Sequence, residues 1–408
     1  MKIWAFPSIY PHDTPQHRST GIFAHRQFRA LVENGADLSV IQPVSWHPGK
    51  TLSRFHPEWK HAADINYPVR RTFEDIEVFH PRIRNLKPSY LFSKPYRQRY
   101  VDAVERFFHK NKIAPAASDI FYSQWVPEAY NVKYAAEKLG VRFAIKVIGD
   151  DVLVLPKHQK GYTAILKEVW GEADIRLSVA DYLGHEANTV TGQDLMFYTV
   201  RRGTDYKHFA PPTQAEKQQL RRELEIPAGK VVILCIGAAI AAKGWAELFS
   251  AAQKMKNEGL DFYLVGVHGG ITQVDLQAEA AKAGLQDRFK VFKDIAPAAV
   301  NRFYKMADVF CLASHSEGIA NVVVEAMASA LPVVATNVSG HPELVKSRDT
   351  GILIPPHQPA LLAKELTAMI TDKALRETVG KNARTFIVNE WGSVASNAKK
   401  LYEILSHK

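Results

Sequence analysis

Ser314-His315-Ser316-Glu317-Gly318-Ile319-Ala320-Asn321-Val322-Val323-Val324-Glu325-Ala326-Met327-Ala328 joins a strand to a helix. The apolar run Val309–Leu312 ends just before it, a small polar loop follows, and a helical pattern begins near Asn321. The first amides of such a helix lack partners and carry partial positive charge, so they attract an anion. Gly318 lets a ligand approach the backbone closely. Glu325 sits one turn into the helix, amid valines and alanines where a lone carboxylate is costly. A carboxylate there suits the hydroxyls of a ribose, or simply the N-terminal turn of the helix; Glu317 in the loop suits those of a sugar, or is a solvated loop residue.

Outward from this stretch, strand and helix patterns alternate in both directions. Downstream of a linker at Arg202–Pro212, strands are predicted at Val231–Ile236, Phe262–Val265, Phe289–Phe292, Val309–Leu312 and Val333–Ala335. Helices are predicted at Lys243–Lys256, Asp275–Ala283, Val300–Met306 and Val322–Ala330, with further helices after Gln358-Pro359. Upstream, strands are expected at Lys2–Phe6, Leu38–Ile41, Ile120–Ser123, Phe143–Val147, Ile175–Val179 and Phe197–Val200. A helix through Phe23, Gln27, Ala30 and Leu31 follows the first of these. Such alternation predicts an α/β protein with two Rossmann-like domains facing each other across a cleft, and C-terminal helices. The expected boundaries are 1–205, 206–385 and a last helix in 386–408 packing back on the first domain.

Composition narrows the class. The chain has 408 residues, 46% hydrophobic and 23% charged, which suits a globular protein of two domains. A net charge of +10 favours anionic partners such as phosphates, but is too dilute for a nucleic-acid stripe. Met1–Phe6 is too short for the apolar part of a signal peptide, and no apolar stretch reaches the ~20 residues of a membrane span. Two cysteines, Cys235 and Cys311, lie in apolar runs and are expected to be buried reduced thiols, pointing to the cytoplasm. Arg82–Lys112 is basic and aromatic, including Lys87, Tyr90, Tyr100, Phe107 and Phe108. It reads either as a contact with an anionic membrane surface or as a helix packing on the first sheet.

Ser316–Glu343, with Glu317-Gly318, Asn321, Glu325-Ala326-Met327-Ala328 and Leu331–Thr336, resembles the donor-site signature of retaining glycosyltransferases of family 4, which have the GT-B fold. Gly21-Ile22-Phe23 is similar to that family's N-terminal glycine loop, and Lys243-Gly244 to its diphosphate-binding lysine region. Asp308-Val309, Gly351 and Pro355-Pro356 fit as well. The resemblance implies transfer of a sugar from a nucleoside-diphosphate sugar to a glycan or lipid-linked acceptor, in bacterial surface-polysaccharide assembly. It implies that Glu317 touches the donor sugar, that amides of Gly318, Ile319, Ala320 and Asn321 hold sugar and phosphate oxygens, and that Glu325 binds the ribose.

Lys243, flanked by Gly237 and Gly244, suits neutralisation of a leaving diphosphate better than a plain surface lysine starting a helix. Gly21 opens a helix whose N-terminus suits the diphosphate or the acceptor, while His25, a turn later, is expected on the surface. Asp151 in Gly149-Asp150-Asp151 either orients an acceptor hydroxyl or caps the next helix. The chain departs from the resemblance at Ala238, in place of an arginine, and at Ile148, in place of a histidine. Arg201 and Arg202 are the candidates to supply the missing cation. There is no Asp-x-Asp, and the sixteen histidines are scattered, so no metal or other cofactor is expected. Rival readings are a nucleotide-sugar epimerase, a phosphorylase, or a catalytically silent nucleotide-sugar-binding subunit.

Overall fold

The computed structural model describes residues 1–12, 21–47, 67–84 and 92–407. The chain divides into two compact units, Met1–Arg202 with Val394–Lys408, and Gly203–Ser393.

In the first unit the strands are β1 (Ile3–Pro7), β2 (Leu38–Ile41), β3 (Val44–Ser45), β4 (Arg70–Phe73), β5 (Ile76–Phe79) and β6 (Arg82–Ile83). They continue with β7 (Ile120–Gln124), β8 (Arg142–Val147), β9 (Ile175–Ser178) and β10 (Tyr198–Thr199). One sheet has the order β10-β9-β8-β7-β1-β2-β5-β4, while β3 pairs with β6 apart from it. Its strands run parallel except for β4 against β5. The helix Val394–Ser406 belongs to this unit: Leu401 and Leu405 share a core with Ala5, Phe28 and Val40. Arg142 donates to the Leu405 carbonyl at 3.0 Å.

The β4–β5 hairpin was not legible from the sequence. It turns through Glu74 and Asp75, with φ of 43° and 68°, where a glycine would ordinarily announce the turn. The hairpin has a consequence for His25, which was expected on the surface. His25 is buried instead, its Nδ1 2.7 Å from the Tyr10 hydroxyl and its Nε2 3.0 Å from Glu74.

Aromatic residues of the basic stretch point inward. Tyr100, Phe107 and Phe108 are buried in the helix Lys94–Lys110, and Phe108 meets Trp4 edge-on at 4.9 Å. Lys87 and Tyr90 lie outside the described residues. No described helix is long and apolar enough to cross a membrane.

A partly buried acid links this helix to its neighbour. Tyr100 donates to Glu128 at 2.6 Å, and burial raises the Glu128 carboxyl to about 7. Because burial lifts this carboxyl above its ordinary 4.5, Glu128 supports the fold below pH 4.5 and loses that support as pH rises through 7. Glu128→Gln, which keeps an acceptor for Tyr100, is expected to gain about 2 kcal/mol at pH 8, with water at the exposed edge screening the remainder. The gain should vanish near pH 4. Urea unfolding of both proteins across that range checks it; a gain that is constant with pH would refute the assignment.

The second unit contains β11 (Val231–Ile236), β12 (Phe262–His268), β13 (Phe289–Lys293), β14 (Val309–Leu312), β15 (Val333–Thr336) and β16 (Ile352–Ile354). All are parallel, in the order β13-β12-β11-β14-β15-β16. Parallel strands covered on both faces need continuous apolar runs, as Val231–Ile236 and Val309–Leu312 supply. Cys235 and Cys311 are buried free thiols in those two strands. The strand order reverses between β11 and β14, so the loops beyond their carboxyl ends flank the topological switch point. Those loops are Gly237–Gly244 and Ala313–Ala320.

Candidate functional site

The loop after β11 is shaped by its own hydrogen bonds. Gly237 N–H donates to the Val267 carbonyl at 3.0 Å, and the Trp245 indole donates to the Ala238 carbonyl at 2.9 Å. Ala241–Lys243 forms a 3-10 turn, so the α-helix expected from Lys243 begins only at Trp245. Gly244 has φ of 69°, and a Cβ there would lie 1.9 Å from the Ala313 carbonyl oxygen. Only glycine fits that approach. The two loops are therefore pressed together, and His315 N–H donates to the Ala242 carbonyl at 2.9 Å across them.

This packing brings Lys243 to Glu317. The Lys243 ammonium is 2.6 Å from Glu317 Oε1, which also accepts from the Ser314 hydroxyl at 2.8 Å. Both charged side chains remain partly accessible, 24% and 13% respectively. The pair is neither a solvated surface bridge nor a sealed core one.

A third group, His341, was not singled out in the sequence. It is fully buried, and its Nδ1 donates to the Thr336 carbonyl at 2.7 Å. Thr336 in turn donates to the Ser314 carbonyl at 2.5 Å. Burial lowers the imidazole below its ordinary range, against that Thr336 bond, and it feels the charges of both Glu317 and Lys243. With Nδ1 carrying the proton, Nε2 is a bare acceptor, buried without a hydrogen-bond partner.

The helix Asn321–Ala328 starts where it was expected, with Val323 and Val324 amides closing on the Ala320 carbonyl. Gly318, Ile319 and Asn321 are partly exposed at its mouth, while Ala320 is buried. Glu325 is partly exposed and accepts from the Tyr304 hydroxyl at 2.7 Å. Tyr304 is a partner that helps a carboxylate sit in this apolar helix, and no periodicity pointed to it.

In the first unit, Gly21 has φ of 75° at the start of the helix Ile22–Glu33, and a Cβ there would lie 2.5 Å from the Ile9 carbonyl oxygen. Asp151 is fully buried rather than open to an acceptor. It accepts from the amides of Gly149 at 2.8 Å, Ile148 at 3.1 Å and Val126 at 3.4 Å, and burial raises it to about 6. Its carboxylate thus ties the turn after β8 to the start of the helix Val126–Leu139 and caps no helix of its own. Arg201 lies 3.4 Å from Asp181, and Arg202 stacks over Phe23 at 5.6 Å. The histidines are not all scattered: His315 and His357 meet at Glu247.

Comparison with known proteins bears on this geometry. Residues 216–386 match the family model of the Glycosyl transferases group 1. That span contains both loops of the switch point, Lys243, Glu317, Glu325 and His341. Over 98% of this chain and 97% of the relative, the sequence is 25% identical to TuaC of Bacillus subtilis (strain 168), named as a teichuronic acid biosynthesis glycosyltransferase. Among solved structures, sucrose-phosphate synthase from Thermosynechococcus elongatus aligns with a TM-score of 0.75 at 18% identity, covering 99% of each chain. Alr3699/HepE of Anabaena, solved with UDP, aligns with a TM-score of 0.74 at 18% identity, covering 100% of each. The fold of the chain is GT-B.

Proposed function

We propose that this chain is a retaining glycosyltransferase that moves a sugar from a nucleoside-diphosphate sugar to a glycan or lipid-linked hydroxyl. The observation that carries the reading is the Lys243–Glu317 pair, with His341 beside it, at the switch point of the segment matching group 1 glycosyltransferases. The breaking of a glycosyl–phosphate bond sends negative charge onto the diphosphate and positive charge onto the anomeric centre. Lys243 and the amides at Gly318–Asn321 would meet the first; Glu317 would support the second. His341 Nε2 would accept a hydroxyl of the donor sugar, and Glu325 the ribose hydroxyls.

The donor class has support from Alr3699/HepE, solved with UDP-glucose as well as UDP. The setting in surface-polysaccharide assembly has support from TuaC. An ammonium and helix amides already offer positive charge to the diphosphate, so we take the donor site to work without a divalent metal there.

The test is incubation of the purified chain with a panel of nucleotide sugars and lipid-linked acceptors, reading nucleoside diphosphate release and product anomeric configuration by NMR. Expected are acceptor-dependent release, retention of configuration, and no dependence on added Mg²⁺ or Mn²⁺. Inversion would overturn the mechanism. Sugar isomerisation without acceptor would replace the reading with an epimerase.

A further inference from the structure

Three side chains that the transfer reaction does not use converge in the second unit. Glu247 lies in the first turn of the helix Trp245–Asn257, His315 in the loop after β14, and His357 in the turn after β16. His315 Nε2 is 2.8 Å from Glu247 Oε1, and His357 Nδ1 is 3.0 Å from the same oxygen. The imidazole centroids are 4.0 Å apart, and the three ligand atoms all lie within 4.8 Å of one another. The other carboxylate oxygen, Glu247 Oε2, is buried and has no hydrogen-bond partner.

From this geometry we infer a binding site for a divalent transition-metal ion at Glu247, His315 and His357. Two imidazoles and one carboxylate are a donor set for zinc and its neighbours rather than for calcium or magnesium. Ligands around a tetrahedral zinc ion lie about 3.3 Å apart, so two contacts must open by a few tenths of an ångström. Rotation of His357, which is exposed, supplies that freedom. Each imidazole would shift its proton to its other nitrogen and present a lone pair. The orphaned Oε2 would gain the cation it lacks. Such an ion would cross-link three elements of one unit, among them the loop that carries Glu317 two residues beyond His315. Its role is to hold that loop, and no step of sugar transfer passes through it. The inference stands on the three side chains alone and survives failure of the proposed activity.

The test uses the tag-free full chain, stripped with chelator and titrated with Zn²⁺ by calorimetry and with Co²⁺ by visible absorption. Expected are one saturable site, Co²⁺ bands of a low-coordinate nitrogen–oxygen site, and a rise in unfolding temperature with Zn²⁺. His357→Ala, at an exposed side chain, should weaken binding at least tenfold while nucleotide binding persists, and Glu247→Gln should do the same. Absence of saturable binding, or binding unchanged in His357→Ala, would overturn the site.

Discussion

Replacement of Glu317 by alanine is expected to leave the chain folded and to cut sugar transfer by about 10²–10³-fold, the usual loss for one charge-stabilising group of a reacting centre. The fold should persist because the loop after β14 has other ties: His315 N–H to Ala242, Thr336 to Ser314, and the close approach of Gly244 to Ala313. What disappears is a carboxylate with 13% exposure, held by Lys243 and Ser314 in one orientation. A group fixed before the substrate arrives costs no reorganisation as charge develops. The loss should therefore appear in kcat more than in the affinity for the nucleoside diphosphate, which lacks the sugar. Steady-state kinetics and nucleotide titration separate the two. Turnover within threefold of the parent would remove Glu317 from the mechanism, whereas loss of cooperative unfolding would show that its role is structural.

The frame of the second unit was readable because parallel strands buried on both faces must be continuous apolar runs. Val231–Ile236 and Val309–Leu312 coincide with their predicted limits for that reason. β16 was missed because three residues ahead of Pro355-Pro356 carry too little pattern, and its pairing with β15 is what makes it a strand. The same logic divides the site. Glu317, Lys243 and Glu325 lie in local motifs, so the sequence could single them out. His341 and Tyr304 reach the site from other elements, and nothing local distinguishes them from any core aromatic. His315 and His357 stand 68 and 110 positions from Glu247, whose oxygen they share, so only the packing of three elements discloses the cluster. Asp151 is the converse case. An aspartate after a strand reads as available for chemistry, but its oxygens are occupied by main-chain amides.

Lys243→Ala is expected to lower kcat/KM by about 10²–10³-fold as well, with a different signature. The ammonium lies 2.6 Å from Glu317, so a diphosphate has to share it with that carboxylate. A half-buried ammonium close to two negative groups can serve both, being a point charge with three donors. Its removal strips positive charge from the leaving group and also leaves the Glu317 carboxylate with the Ser314 hydroxyl but without its cation. Affinity for a nucleoside diphosphate should fall about tenfold, a charge-assisted contact of roughly 1.4 kcal/mol, while affinity for the monophosphate, which lacks the outer phosphate, should change little. The double variant with Glu317→Ala should be no more than about tenfold worse than the poorer single one, because groups that act as a unit are not additive. Equal losses for monophosphate and diphosphate would move Lys243 away from the outer phosphate. Fully additive losses in the double variant would mean that the Lys243–Glu317 ion pair is not carried into the reaction.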